Sequence, residues 1–467
     1  EMSADGQYVA FSSLVTAINT SAVWLCDGET KTADLVSANL PGQPGADGIC
    51  ENLSITPNGR YVAFMSNGTA LVTNAVNGEY QVFVHDRQSD LTRLVTADLD
   101  GAGSGSAESS VPILTPDGRL VLFDSRSDTF ALDDRNDAYD VFEQDAVADT
   151  AGLVSGRDTS APRATGNGVS VVARDSISAD GRYVVFESWA SDLAPGDTNG
   201  CQDVFIRDLV AGTNRLVSVN RFGSGSGNGP SSVPLISADG RYVVFVSAAE
   251  DLVANDANKR EDVFARDTVA GATLLASVGV NGWSGNRAAL SPSISADGRR
   301  VVFESTASGL VSGDADVDQS DIFLHDLTAG TTTLVSVNIS GDPFSTGYYT
   351  MPTISPDGRF VAFRSNSGAT VFVKDLQSGS STPVATNITS LSFSGNSRVF
   401  AAICGVRGSS TSRELVVADL LQGTNTSLAL ISGASSGTQG RLSLNDNGRF
   451  VAFTYMNPSG FGYGYLV

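Results

Sequence analysis

Histidine, lysine and cysteine are scarce in this 467-residue chain. There are two histidines, four cysteines and only three lysines, Lys31, Lys259 and Lys374. No Cys-x-x-Cys or Cys/His spacing offers a zinc site, and four cysteines are too few for a disulfide framework. Cys26 and Cys50 fall in neighbouring sequence repeats and form one candidate disulfide pair, while Cys201 falls in a loop and Cys404 in an apolar strand. No run of about 20 apolar residues occurs, so no helical segment is expected to span or insert into a membrane. Positive charge is short as well. A formal net charge of −22 argues against nucleic acid, which needs a basic footprint, and against an anionic membrane surface. Glu1-Met2-Ser3 runs into a repeat without a charged and apolar leader, so a processed chain is the expectation. Missing too are the phosphate-binding loop and the His-Glu-x-x-His zinc motif.

What the chain does have is glycine, 49 residues of it, and a phrase that keeps returning. It reads Ser3-Ala4-Asp5-Gly6, Thr56-Pro57-Asn58-Gly59, Thr115-Pro116-Asp117-Gly118, Ser178-Ala179-Asp180-Gly181, Ser237-Ala238-Asp239-Gly240, Ser295-Ala296-Asp297-Gly298 and Ser355-Pro356-Asp357-Gly358. A worn copy follows at Ser394-Gly395-Asn396-Ser397, and a ninth at Asn445-Asp446-Asn447-Gly448. Asp-Gly or Asn-Gly between apolar runs marks a hairpin, because both residues tolerate positive φ. Around it the pattern predicts four strands per repeat, such as 233–237, 241–246, 262–267 and 273–278, without helical periodicity. Four short antiparallel strands in tandem predict an all-β chain, a single β-propeller domain over 1–467. Nine hairpins imply nine blades, with eight as the alternative if the ragged ends share one. The incomplete end blade would leave an edge open to pairing with another chain.

The phrase Ser-Pro/Ala-Asp-Gly-Arg-x-Val-x-Phe, followed by Asp-Val-Phe-x-x-Asp, resembles the TolB-type repeat, which is related to WD-repeat-like propellers. The resemblance covers essentially the whole chain and is weakest from Ser394 to Ser443. It implies a propeller of the bacterial envelope or exterior, acting as scaffold, gate or binding surface. An acidic, lysine-poor surface also suits an extracellular, periplasmic or cell-surface protein.

Loops between second and third strands repeat a spacing of oxygen-bearing side chains: Asp134-x-Asn136 with Asp140, Asp197-x-Asn199 with Asp203, and Asp256-x-Asn258 with Asp262. A fourth holds Asp314, Asp316, Asp318 and Asp321. Such oxygens can wrap Ca²⁺, or they can make Asx turns that cap strand ends. Both readings stand, and no organic cofactor is indicated. His85 and His325 occupy equivalent third-strand positions, where Arg207, Arg266, Lys374 and Gln144 also occur. That interchange predicts a half-exposed strand residue, and no catalytic residue is assigned.

Antiparallel order puts the second-to-third-strand loops and the repeat-to-repeat connections on one face. This long-loop face is the expected surface for a protein or glycan ligand. Trp189, Trp283, Tyr348 and Tyr349 fall in or near it, where they either stack on sugars or, the preferred reading, pack between blades. A non-enzymatic binding or scaffold propeller, calcium-stiffened or self-associating through its incomplete end blade, is the expected function. A polysaccharide lyase or hydrolase working on the long-loop face is the alternative.

Overall fold

The computed structural model describes residues 1–15, 20–41, 47–131, 134, 136–146, 150–157, 165–173, 175–312, 319–337, 348–366, 369–405, 413–431, 442–456 and 462–466. Every regular element among them is a strand, so none is a helix long and apolar enough to cross a membrane. The chain is a β-propeller of antiparallel blades, as the repeat predicts.

Each repeat builds its own sheet from the same local chemistry. In one of them the strands are Ser231–Ile236, Tyr242–Ser247, Asp262–Asp267 and Ala272–Leu275, paired in that order. The hairpin between the first two is set by side chains. Ser237 Oγ donates to Asp239 Oδ1 at 2.6 Å and accepts the Tyr242 N–H, while the Arg241 N–H donates to the same carboxylate. Gly240 sits at φ +73°, and a Cβ there would lie 2.4 Å from the Tyr183 ring of the preceding sheet. Glycine is therefore required twice, for the backbone angle and for the close approach.

Val243 and Phe245 face the preceding sheet, meeting Val185, Val204 and Ile206, whereas Val244 and Val246 face the following one, meeting Val301 and Phe303. A strand buried on both faces reads as a continuous apolar run, which explains Tyr-Val-Val-Phe-Val. Phe245 stacks on Phe264 directly opposite, with centroids 5.8 Å apart. The same cross-strand pair recurs as Phe64–Phe83, Phe123–Phe142, Phe186–Phe205, Phe303–Phe323 and Phe363–Phe372. Each fully buried ring contributes roughly 2–3 kcal/mol by area.

Among the described residues, seven sheets have four strands, spanning 50–94, 113–153, 170–216, 231–275, 289–334, 349–386 and 388–431. Those at 8–35 and 442–466 have three each. Nine complete blades are thus not formed. Counting the two partial sheets together as one position gives the eight-blade alternative, which is favoured. Among the described residues, the segment before Tyr8 pairs with its neighbour only around the Met2–Val9 bridge, and no fourth strand pairs with Gly462–Leu466. The two partial sheets meet where the Asp446 N–H donates to the Ala4 carbonyl at 2.9 Å.

The chain divides into two compact units. One holds Glu1–Arg174, Thr389–Leu420 and Thr426–Val467, and the other Asp175–Ile388 with Leu421–Asn425. In the second, hairpin tips are linked sheet to sheet, Ala179 N–H to Ala238, Ala238 to Ala296 and Ala296 to Pro356, each 2.9 Å. In the first the same bond runs from Ala4 to Pro57 and from Asn396 to Asp446. The suggested Cys26–Cys50 disulfide is not formed. Both are free thiols, and the Cys50 Sγ lies 3.3 Å from Ser66 Oγ.

Candidate functional site

The long-loop end of each sheet is organised by the loop that enters the third strand. Asn199 adopts an Asx turn, its Oδ1 accepting the Cys201 N–H at 2.7 Å. Its Nδ2 donates both to Asp203 Oδ2 and to the Gly227 carbonyl of the next connection, each at 2.7 Å. Asn258 repeats this with Arg260, Asp262 and Gly285, and Asn136 with Ala138, Asp140 and Gly166. One amide therefore locks the loop, the strand end and the neighbouring connection together. The Asx-turn geometry is present in all three loops. Asp321 of the fourth loop is described, whereas Asp314, Asp316 and Asp318 lie outside the described residues.

The third-strand aspartates have a second partner that the sequence reading missed. Ser155, Ser218, Ser277 and Ser336 each donate to the Oδ1 of Asp140, Asp203, Asp262 and Asp321 at 2.5–2.8 Å. The same hydroxyls accept the N–H of the residue after the aspartate. The signal was there, since a serine follows Leu153-Val154, Leu216-Val217, Leu275-Ala276 and Leu334-Val335, just past the fourth strand. Burial pushes Asp203 up to about 7 and Asp262 up to about 8, with Asp197 and Asp256 adding like charge. Asp134, Asp197 and Asp256 are also raised, again chiefly by burial. Among the described residues no three His, Cys, Asp or Glu side chains converge to hold a metal.

His85 and His325 are not half-exposed; both are buried. Each Nδ1 pairs with a fourth-strand threonine hydroxyl, Thr92 at 3.1 Å and Thr332 at 3.0 Å. Those hydroxyls donate in turn to the Val36 and Val278 carbonyls. Burial depresses both imidazoles below their ordinary value, despite nearby carboxylates. Arg266 uses the same position to reach Thr273, at 2.9 Å. The position is buried where His85, His325, Gln144 and Lys374 fill it and half-buried, as the sequence predicts, where Arg207 and Arg266 do. It lies four residues along the strand from the long-loop end, about 13 Å away at the usual rise.

The preferred packing of the aromatics between blades holds only for Tyr349, which is buried. Trp189, Trp283 and Tyr348 are about half exposed. Phe222, not singled out by the sequence, is 71% exposed at the tip of a connection whose turn closes from Gly223 N–H to the Asn220 carbonyl, with the Arg221 guanidinium over its ring. All four belong to the second unit and to long-loop-face segments.

No family model and no curated protein matches the chain. Solved structures do. A eukaryotic initiation factor is 10% identical, with 99% of this chain and 96% of that one covered and a TM-score of 0.53. An oligogalacturonate lyase in complex with manganese is 12% identical over 88% of this chain and 96% of its own, with a TM-score of 0.46. A TolB-type protein from Agrobacterium tumefaciens is 15% identical over 70% and 88%, with a TM-score of 0.32. The chain spans 51% of the length of a prolyl endopeptidase that it also matches. At such identities the likeness concerns the β-propeller fold alone, and membership of a TolB-type repeat family is not shown by it.

Proposed function

We propose that this chain is a non-enzymatic binding propeller of the cell exterior or periplasm that presents its long-loop face to a glycan. The observation that carries the reading is the set of exposed rings, Trp189, Phe222, Trp283 and Tyr348, on one face of one unit. Large aromatics left in water at loop tips mark interaction surfaces, and flat rings suit the apolar faces of sugars. The excess of acid, −22 overall, favours a neutral ligand over a polyanion. The acidic loops beneath the face offer oxygen ligands by which calcium would stiffen it.

The lyase alternative has less support. His85 and His325 are buried, neutral at neutral pH and placed toward the short-turn end of their strands. A general base must reach its proton, and neither reaches the long-loop face.

Affinity electrophoresis in gels containing neutral or acidic polysaccharides tests both readings. The expected result is retardation by a neutral polysaccharide that weakens at least tenfold in Trp283→Ala, the loss typical of an aromatic anchor. Unretarded migration in every gel would overturn the glycan reading. Release of unsaturated uronate, lost in a folded His85→Ala or His325→Ala variant, would favour the lyase.

A further inference from the structure

At its short-turn end, the face that the sheet at 50–94 turns toward the sheet at 113–153 stops in an open corner. Strand register puts Tyr61, Asp86 and Leu91 in one row across that face, with Val84 and Arg93 in the next row. Both sheets belong to the first compact unit. The corner is covered by the residue that follows the third strand of the next sheet, and its backbone is placed alike in several repeats. Ala146, Leu327 and Leu376 donate their N–H groups to the Arg119, Arg299 and Arg359 carbonyls. Leu327 packs against the cluster that holds Val244 and Ala265, and Leu376 against the one that holds Val302 and Leu324. Two later repeats thus plug the corner with a leucine. Here the plug is only Ala146, and a cavity of about 200 Å³ remains, lined by the five residues of the two rows together with Arg60 and Ala146.

Charge in this corner runs against the rest of the molecule. Arg60 and Arg93 stand beside a single carboxylate, Asp86, so the cavity is net positive in a chain of −22. Arg60 spends Nε and Nη2 on Asp86, at 3.0 and 2.9 Å, with its guanidinium over the Tyr61 ring. Asp86 also accepts the Gln88 N–H. Arg93 gives Nη1 to the Ala146 carbonyl at 3.1 Å. Among the described residues nothing accepts from Arg60 Nη1 or from Arg93 Nε and Nη2. Guanidinium forks take planar carboxylates in pairs of bonds, while Val84, Leu91 and the Tyr61 ring offer an apolar floor. A cavity below the roughly 300–1,000 Å³ of drug-sized sites holds about one ring. One surplus positive charge balances one negative charge, which favours a carboxylate over a phosphate dianion. We propose that this corner binds a small organic monocarboxylate, its oxygens on Arg93 and Arg60 and its apolar body against Leu91, Val84 and Tyr61. The site lies at the opposite end of the strands from the long-loop face and stands whether or not that face binds a glycan.

The test uses benzoate as probe, benzamide as its uncharged counterpart and inorganic phosphate as competitor. Binding to the full chain is followed by saturation-transfer NMR at low ionic strength, where screening is least. Benzoate should bind with a Kd on the order of 10⁻³ M, as suits so few buried atoms. Benzamide should bind about tenfold more weakly or worse, and so should benzoate to Arg93→Ala, each having lost a charge-assisted bond. An equal concentration of phosphate should leave benzoate in place. Ala146→Leu should abolish binding yet melt no lower than the parent, because it restores the plug that Leu327 and Leu376 supply in their repeats. A parent chain that ignores benzoate overturns the proposal, and so does an Ala146→Leu variant that binds it like the parent. Displacement by phosphate, or benzamide bound as tightly as benzoate, overturns the assignment to a carboxylate. Should Ala146→Leu melt lower than the parent, Arg93→Ala decides alone, since it alters an exposed side chain.

Discussion

Single buried carboxyls set much of this protein's response to pH. Asp262 is raised to about 8, first by burial and then by Asp256, against the opposing bonds from Ser277 and Asn258. A folded-state value above the ordinary 3.8 means that folding favours the protonated form. Its stabilisation is complete below about pH 4 and is lost as pH rises toward 8. Asp375 has the opposite sign. Arg359 holds it down to about 2, so its contribution is present above about pH 4 and fades only toward pH 2. Stability in chelator should therefore decline between mildly acidic and mildly basic pH, and Asp262→Asn should flatten that decline. Melting curves across the range check it, and a parent chain that gains stability toward pH 8 would contradict it. Ser277→Ala removes a donor from Asp262 and an acceptor from the Val263 N–H. Leaving two buried groups short costs about 2–3 kcal/mol, measurable by urea unfolding.

At the scale of the element, the hairpin phrase was fully legible because every one of its residues has a local job. Gly240→Ala should destabilise by about 2 kcal/mol or more, since it combines a left-handed backbone with a 2.4 Å approach to Tyr183. An alanine at Gly330, equally left-handed but with open space around its Cβ, should cost about 1 kcal/mol, and equal losses in urea would refute the packing half of the account. The apolar runs and the Phe pairs were legible for the same reason, being dictated by burial on both faces. The first strand was not. Val233, Ser291 and Met351 each precede a proline and take positive φ within a register shift. The N–H freed by that bulge is met from the preceding sheet, Glu187 reaching Val233 at 3.1 Å and Glu304 reaching Met351 at 3.2 Å. Such a partner, 46 or 47 residues away, leaves no local trace. The His85 slot was misread for a related reason. Chemical variety at a position suggests solvent, which holds where Arg207 and Arg266 are half-buried, but a threonine hydroxyl beside His85 and His325 lets an imidazole be buried at the same place.

For the whole molecule, the open question raised by the sequence is what an incomplete end sheet does. The inner edge of Tyr8–Val15 is not bare. Met2 bridges Val9, the Ala10 N–H donates to the Glu1 carbonyl at 3.0 Å, and the Ser3 N–H donates to the Tyr8 carbonyl at 2.9 Å. The chain's own first residues thus take hydrogen bonds at Tyr8–Ala10, the start of that edge, where a donated strand would have to compete with them. Strand addition needs unpaired N–H and C=O groups in a row, and displacing an intramolecular partner adds the entropic cost of association. Light scattering after size exclusion should therefore give a particle near 48.4 kDa, one chain. A defined oligomer would shift attention to the Gly462–Leu466 strand, which among the described residues pairs only with Val451–Met456. Deleting 462–467 would then be expected to return the mass to that of a monomer, and persistence of the oligomer would exclude strand donation at that edge.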